Sequence, residues 1–360
     1  MLPPVARLEY RSHPERTTDM VHSISRRTFL GYNAALLGGG IVGLRASLAL
    51  AAALGPLVYR LGWVKNVGWA GTYFADKKGY FRDEGFSSVE LVSGGPNAAP
   101  AESIVNSGQA LVSLSSPAIT ASAVNNGAKL RIIGVQFQTS PFIIASPIDK
   151  PLKTPQDCIG KRIGIPGTNG PTWMAFLAAN KIDPDSLESV NIGFSAAPLT
   201  SGQVDGLMGF VTNIPGPLKR QGFDTYYFGF GDFNFRLVNN SYFVTDDSLV
   251  ARRDQVKAFM RAEIRGWKDS IGSPEESARL AVQEYGADLG LDLVDQIDQA
   301  RIQNTLIVNE ETKVNGLFTM TPELIATSIE LLKISGVESS PDLFDMSILR
   351  EIYDEDPKLI

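Results

Sequence analysis

Five short stretches hold most of the side chains that could grip a small molecule: SGGPNAAPAE (93–102), SLSSPAIT (113–120), VQFQTSPF (135–142), IPGTNGPTW (165–173) and FVTNIPGP (210–217). Their candidates are Asn97, Ser115, Ser116, Gln136, Gln138, Thr168, Asn169 and Asn213. Hydroxyls, amides and free backbone N–H groups bind polar ligands without reacting with them. Taken singly, each loop is also explained by helix capping, since Ser, Thr or Asn before a proline is a helix-start signal. Aromatic residues stand beside Gly or Pro in or near these loops, and Trp69, Tyr73 and Trp173 are the candidates to stack on a flat heterocycle. Phe74 and Phe142 are expected in the core. Strand alternation sets Gln136 and Gln138 on one face, opposite Phe137, so the amides are assigned to the ligand rather than the ring. Asp232, in FGFGDFNF (228–235), either complements a cationic ring or is simply solvated.

Reactive chemistry is largely excluded by composition. The two histidines, His13 and His22, both lie near the N-terminus, and the single cysteine is Cys158. Once an N-terminal segment is removed, no imidazole remains for Ser–His–Asp catalysis, Cys–His catalysis or metal ligation. One cysteine builds neither a disulfide framework nor a zinc site, and in PQDCIGKRIG it reads as a small buried hydrophobe. No cofactor or metal is expected. A net charge of -6 over 360 residues offers no basic stripe for phosphates, which argues against nucleic acid and leaves a small-molecule ligand as the expected partner.

The elements that must position these loops alternate in type. SVELVSGG, ALVSLSS and KLRIIGVQF read as strands, with AESIVNSGQ and PAITASAVNNG as helices between them. After a Pro-rich crossing, SPFIIASPIDKPLKTPQD, the rhythm restarts with KRIGIPG, VNIGFS, VDGLMGFV and TYYFGFG as strands and PTWMAFLAANK as a helix. From Asp246 the pattern becomes long amphipathic helices, including one over 248–272 and one over 274–286. This predicts an α/β fold of mostly parallel sheets in two lobes with a helical C-terminal segment. Parallel α/β sheets bind ligands beyond the carboxyl ends of their strands, where the five loops fall.

The N-terminal SRRTFL (25–30) resembles the twin-arginine export signal, with Gly31 where that pattern carries Lys. An apolar run to Leu44 and the small-residue stretch ASLALAAALG follow it. Arg45 interrupts the run, and a charge at mid-bilayer costs about 2.5–3.5 kcal/mol, which favours export over anchoring. The resemblance implies a signal region over 1–53 and passage through the twin-arginine translocase.

From about Trp63 to Phe344 the chain resembles periplasmic substrate-binding proteins of ABC importers. The branch is the one that holds formylaminopyrimidine, sulfonate, nitrate and taurine binders and is related to the fungal thiamine-pyrimidine synthase. The resemblance is carried by GTYFADKKGYFRDEGF (71–86), IVNSGQALVSLSSPAITASAVNNGAKLRIIG (104–134), KTPQDCIGKRIGIPGTNG (153–170) and SGQVDGLMG (201–209). It implies a type II periplasmic binding protein fold: lobe one from 58–145 plus 241–360, lobe two from 146–240, and a two-strand hinge. It further implies a monomer that traps a small molecule between the lobes and delivers it to an ABC permease and its ATPase in the periplasm, or at the outer face of the cytoplasmic membrane. The loops contain no Lys or Arg, which favours a flat neutral or cationic heterocycle, a pyrimidine or flavin-like vitamin precursor, over a sulfonate, nitrate or taurine-like anion. A pyrimidine-synthase-like enzyme is the alternative of another class. That relative depends on histidine and a cysteine-rich motif, whereas this chain offers one cysteine and, once the N-terminal segment is removed, no histidine.

Overall fold

The computed structural model describes residues 54–360 except 96, 97 and 194, and does not describe the Thr168 side chain. The export-signal segment, and the translocase partnership read from it, therefore lie outside the described residues, as does Asn97. Among the described residues, ten strands form two five-stranded sheets. Sheet one holds β1 (Gly55–Arg60), β2 (Phe86–Val92), β3 (Val112–Ser115), β4 (Leu130–Phe137) and β10 (Asn239–Thr245), in the order β2-β1-β3-β10-β4. Sheet two holds β5 (Phe142–Pro147), β6 (Arg162–Pro166), β7 (Glu188–Ile192), β8 (Gly206–Phe210) and β9 (Thr225–Gly229), in the order β7-β6-β8-β5-β9.

Burial of the edge strands follows what covers them. Strand β4, LRIIGVQF, ends the strand order of sheet one yet is buried almost throughout, because its outer edge is covered: Val135 N donates to Phe318 O (2.9 Å) and Ile132 bridges Phe344. At the edge, β2 and β7 carry exposed polar residues, which blunts them against pairing with another chain. The expectation of mostly parallel sheets holds except for one strand in each: β10 runs antiparallel to β3 and β4, and β5 runs antiparallel to β8 and β9. Each reversed strand is the first that the chain enters after changing sheets. Leaving one sheet at its carboxyl edge, the chain meets the other at the same edge and must run away from it. The stretch expected to be only a Pro-rich crossing is therefore a strand: Phe142-Ile143-Ile144-Ala145 is a short buried apolar run bounded by Pro141 and Pro147.

The helices that matter below are α1 (Ala70–Lys77), α2 (Ala101–Asn106), α3 (Pro117–Asn125), α4 (Gly170–Ala179), α5 (Pro215–Arg220), α6 (Arg253–Ile271), α7 (Leu293–Ile307), α8 (Pro322–Ile334) and α9 (Ser347–Glu355). The single helix expected over 248–272 is broken at Arg252, which leaves helical geometry at φ -125°. The helix expected over 274–286 widens into a π turn from Leu280 to Tyr285. Helices α1 and α6 cross against sheet one at a glycine pair: a Cβ on Gly71 would enter the Trp267 indole, and one on Gly266 would strike the Gly71 carbonyl. Only glycine lets the two backbones come this close.

Candidate functional site

The topology aims both sets of strand ends at one gap. Strand β4 runs parallel to β1 and β3 and ends at Phe137, so the carboxyl ends of sheet one meet the crossover 138–141. In sheet two, Phe210 at the end of β8 pairs with Phe142 and Gly229 at the end of β9 pairs with Ile143, so those ends meet the same crossover. The return crossover, 230–238, lies beside it. Loops from both sheets therefore face each other across two connecting segments.

Local chemistry fixes these loops. After β1, the Asn66 side chain caps the turn at Gly68 N (2.9 Å), and Trp63 O accepts from Gly94 N (2.9 Å). Helix α7 clamps the same loop: Val67 N donates to Gln296 Oε1 (2.8 Å) and Gln303 Nε2 donates to Val67 O (3.0 Å). After β3, Ser115 is half-buried, and Ser116 caps α3 by accepting from Ala118 N (3.3 Å), with Pro117 in the first turn. The β6 loop passes through Gly167, Thr168 and half-buried Asn169 into the N-terminus of α4. After β8, Thr212 is buried and Asn213 exposed.

The three rings assigned to a ligand are instead core residues. Trp69 is 6% exposed and its Nε1 donates to Val64 O (3.0 Å). Tyr73 is fully buried, stacks on Tyr285 at 4.2 Å and donates its hydroxyl to Asn66 O (3.0 Å). Trp173 is 1% exposed, with Nε1 on Ser189 Oγ (2.9 Å). Of the glycines and prolines beside these rings, Gly71 is packed tightly, against Trp267, whereas Gly170 and Pro171 before Trp173 stay open to solvent. The glutamines are corrected in the same way. Gln136 is buried, giving Nε2 to Gly68 O (3.3 Å) and accepting from Asn240 Nδ2 (3.0 Å), and so ties the β1 loop to β4 and β10. Gln138 gives Nε2 to Val135 O and Thr319 O, both at 3.2 Å. The structure thus gathers Ser115, Ser116, Asn169 and Asn213 at the facing strand ends, while Trp69, Tyr73, Trp173, Gln136 and Gln138 support them from behind.

Two features escaped the sequence reading. Trp63, in the β1 loop, is 39% exposed and offers a ring at the gap; RLGWVKN immediately after a strand was the available signal. Arg60, at the end of β1, is 4% exposed and donates Nη2 to Ala99 O (3.0 Å). Burial lowers its pKa, while the buried Glu102 of α2 opposes that shift. Thr120 Oγ1 in turn donates to Glu102 (3.4 Å). Arg60 thus braces the loop that follows β2. An arginine inside the apolar run PLVYRLGW was its signal.

Asp232 is exposed and lines a crevice of about 500 Å³ between α7 and sheet two, together with Thr139, Ser140, Tyr227, Arg301 and Thr305. Cys158 is fully buried, and its thiol is pushed up to about 12 by burial first and by Asp157 second, as an inert core thiol would be. Among the described residues no cluster of His, Cys, Asp or Glu could hold a metal ion, and no helix is long and apolar enough to cross a membrane.

Two mixed sheets joined by paired crossovers, with strand ends face to face, define the periplasmic binding protein fold. The periplasmic aliphatic sulphonate binding protein SsuA of Escherichia coli superimposes with a TM-score of 0.63 at 13% identity, over 81% of this chain and 91% of that one. The desulfurization enzyme DSZB has the same fold, with a TM-score of 0.52 at 14% identity over 84% of this chain and 99% of that one. Residues 66–277 match the NMT1/THI5-like family, and the chain belongs to it. The riboflavin-binding protein RibY of Chloroflexus aurantiacus is 27% identical over 288 residues, 78% of this chain and 81% of RibY.

Proposed function

We propose that the protein is the extracytoplasmic solute-binding component of an ABC importer, and that it traps a flat heterocycle of the flavin or pyrimidine kind, unreacted, between its two sheets. The observation that carries this reading is the convergence of both sets of strand ends on one gap, lined by hydroxyls, amides and the exposed Trp63 ring. Its likeness to RibY supports the flavin side of the choice. Sheet one with the C-terminal helices forms one lobe, sheet two the other, and the crossovers 138–141 and 230–238 are the hinge. A ligand that touches both lobes favours the closed form only by its differential affinity, and reversing a 1:99 equilibrium takes about 5.5 kcal/mol. The closed monomer would dock on a permease coupled to its ATPase. The SRRTFL segment would deliver it there through the twin-arginine translocase.

Calorimetric titration with riboflavin, an aminopyrimidine, ethanesulfonate and nitrate tests the assignment, with chromatography of the recovered ligand. Riboflavin or the aminopyrimidine should bind and return unchanged. Tighter binding of ethanesulfonate would move the protein to the anion binders, and a chemically altered ligand would make it an enzyme. Trp63→Ala should weaken the flat ligand at least tenfold, about 1.4 kcal/mol. Replacing Arg26 and Arg27 together by Lys should leave precursor in the cytoplasm, read by fractionation.

A further inference from the structure

The crevice beneath α7 differs in chemistry from the strand-end loops. Its walls include Arg301 and Thr305 of α7, Tyr227 and Gly229 of β9, and residues of both crossovers, Thr139 and Ser140 in one and Asp232 in the other. At about 500 Å³ it has the volume of a pocket for a one- or two-ring molecule. Its one carboxylate, Asp232, has no direct partner. Asp232 is exposed and makes no hydrogen bond or ion pair among the described residues. Its carboxylate is nonetheless placed, lying over the end of β9, where a Cβ on Gly229 would come within 2.9 Å of Oδ2. Arg301 faces the same crevice but is matched elsewhere, by Glu275 at 2.5 Å and Asp298 at 3.8 Å. Tyr227 is 44% exposed and lines the same crevice.

We propose that this crevice is a second binding site, for a small molecule that carries a protonated amine on a flat ring, and that filling it fixes the angle between the two sheets. The ammonium pairs with Asp232, and the ring lies against Tyr227, whose π face also attracts the cation. The roof moves with sheet one, because Gln296 and Gln303 of α7 hold the Val67 loop. Among the described residues, its ion pairs to the other half are those of Arg220 of α5 with Asp295 and with Asp298 (3.2 Å), and Leu306 O accepts from Gln138 N of the crossover (2.8 Å). An occupant that touches roof and floor therefore binds one inter-sheet angle better than others and shifts the population toward it.

The full chain is titrated by calorimetry with tyramine and, for comparison, with 3-(4-hydroxyphenyl)propionate, which carries the same ring with the opposite charge. Tyramine should bind at least tenfold more tightly than the propionate, and Asp232→Asn should abolish that preference. Tyr227→Ala should weaken tyramine and leave the riboflavin titration as it is. Tyramine should still bind the riboflavin-saturated protein and should narrow the distance distribution from small-angle scattering. Equal binding of the two probes, no binding of either, an unaltered preference in Asp232→Asn, or displacement of tyramine by riboflavin would each overturn the second site. A protein that binds tyramine in this way but ignores riboflavin would instead retire the flavin reading and leave this one standing.

Discussion

Trp267 and Trp173 are equally sealed from solvent, each 1% exposed, yet they stand in cores of different kinds. Trp267 lies where α1 crosses α6, and its Nε1 donates to Glu263 Oε2 (3.3 Å). The same oxygen accepts from Thr72 Oγ1 (3.1 Å) and Tyr242 OH (2.9 Å). Glu263 Oε1 and the hydroxyl of Tyr59 are buried with no partner among the described residues. Trp173 instead joins an aromatic stack, with Phe176 at 5.8 Å and Phe230 at 6.2 Å, and Phe176 lies 3.8 Å from Phe230. Its one polar atom is met by the neutral hydroxyl of Ser189. One half of the molecule is thus built around a buried carboxyl with no cation beside it, the other around neutral rings. The first core should respond to pH and the second should not.

The largest effect expected on this contrast is at Trp173. Trp173→Ala removes a fully packed ring and should cost about 3–5 kcal/mol in urea unfolding. Had this indole been a ligand platform, as its neighbouring loop suggested, the substitution would cost binding and almost no stability. A loss below about 1 kcal/mol would restore that role.

Glu263 gives the next effect. Burial raises its pKa from 4.5 to about 7, against the lowering pull of Tyr242, Thr72 and Trp267. The groups around it, Tyr59, Thr72, Tyr242 and Trp267, bring no positive charge. In the window between these pKa values the folded state holds the proton that the unfolded state has released, so stability falls as pH rises from about 4.5 through 7 and levels off above. The fall amounts to roughly 2–4 kcal/mol at most. Glu263→Gln keeps an acceptor for the three donors and should flatten that slope, read as melting temperature against pH. An unchanged slope would place the titrating group elsewhere.

Smallest is the tie between the halves. Arg220 is about a third exposed, so Arg220→Ala should change stability by no more than about 1 kcal/mol. Its readout is geometric: the scattering profile of the free protein should broaden as α7 and α5 come apart. A profile identical to the parent would show that the crossovers alone set the angle.

The alternation of strands and helices was legible because hydrophobic period is a local property. β2, β3, β4 and β6 to β9 lie within or beside the stretches that period marks. The reversed strands β5 and β10 were not legible. Pro141 and Pro147 make the first read as a loop, and nothing local in NNSYFVT separates a crossover from a strand. The loops at the strand ends were found, but their side chains were sorted poorly. Trp69, Tyr73, Trp173, Gln136 and Gln138 sit in the right segments and point inward, whereas Trp63 was passed over.

Sequence alone fixed the absence of histidine beyond residue 22, the lone cysteine, the polar loops and the two rounds of α/β rhythm, because composition and periodicity need no partners. Only the tertiary structure decided which rings are core, that Arg60 braces a loop, and that an unpaired Asp232 and Tyr227 line one crevice beneath α7. These depend on which side of a segment is covered by chain more than a hundred residues away. The clamp of Gln296 and Gln303 on Val67 is of this kind. A residue's type states what it can bond to, and only packing settles whether that bond is already made.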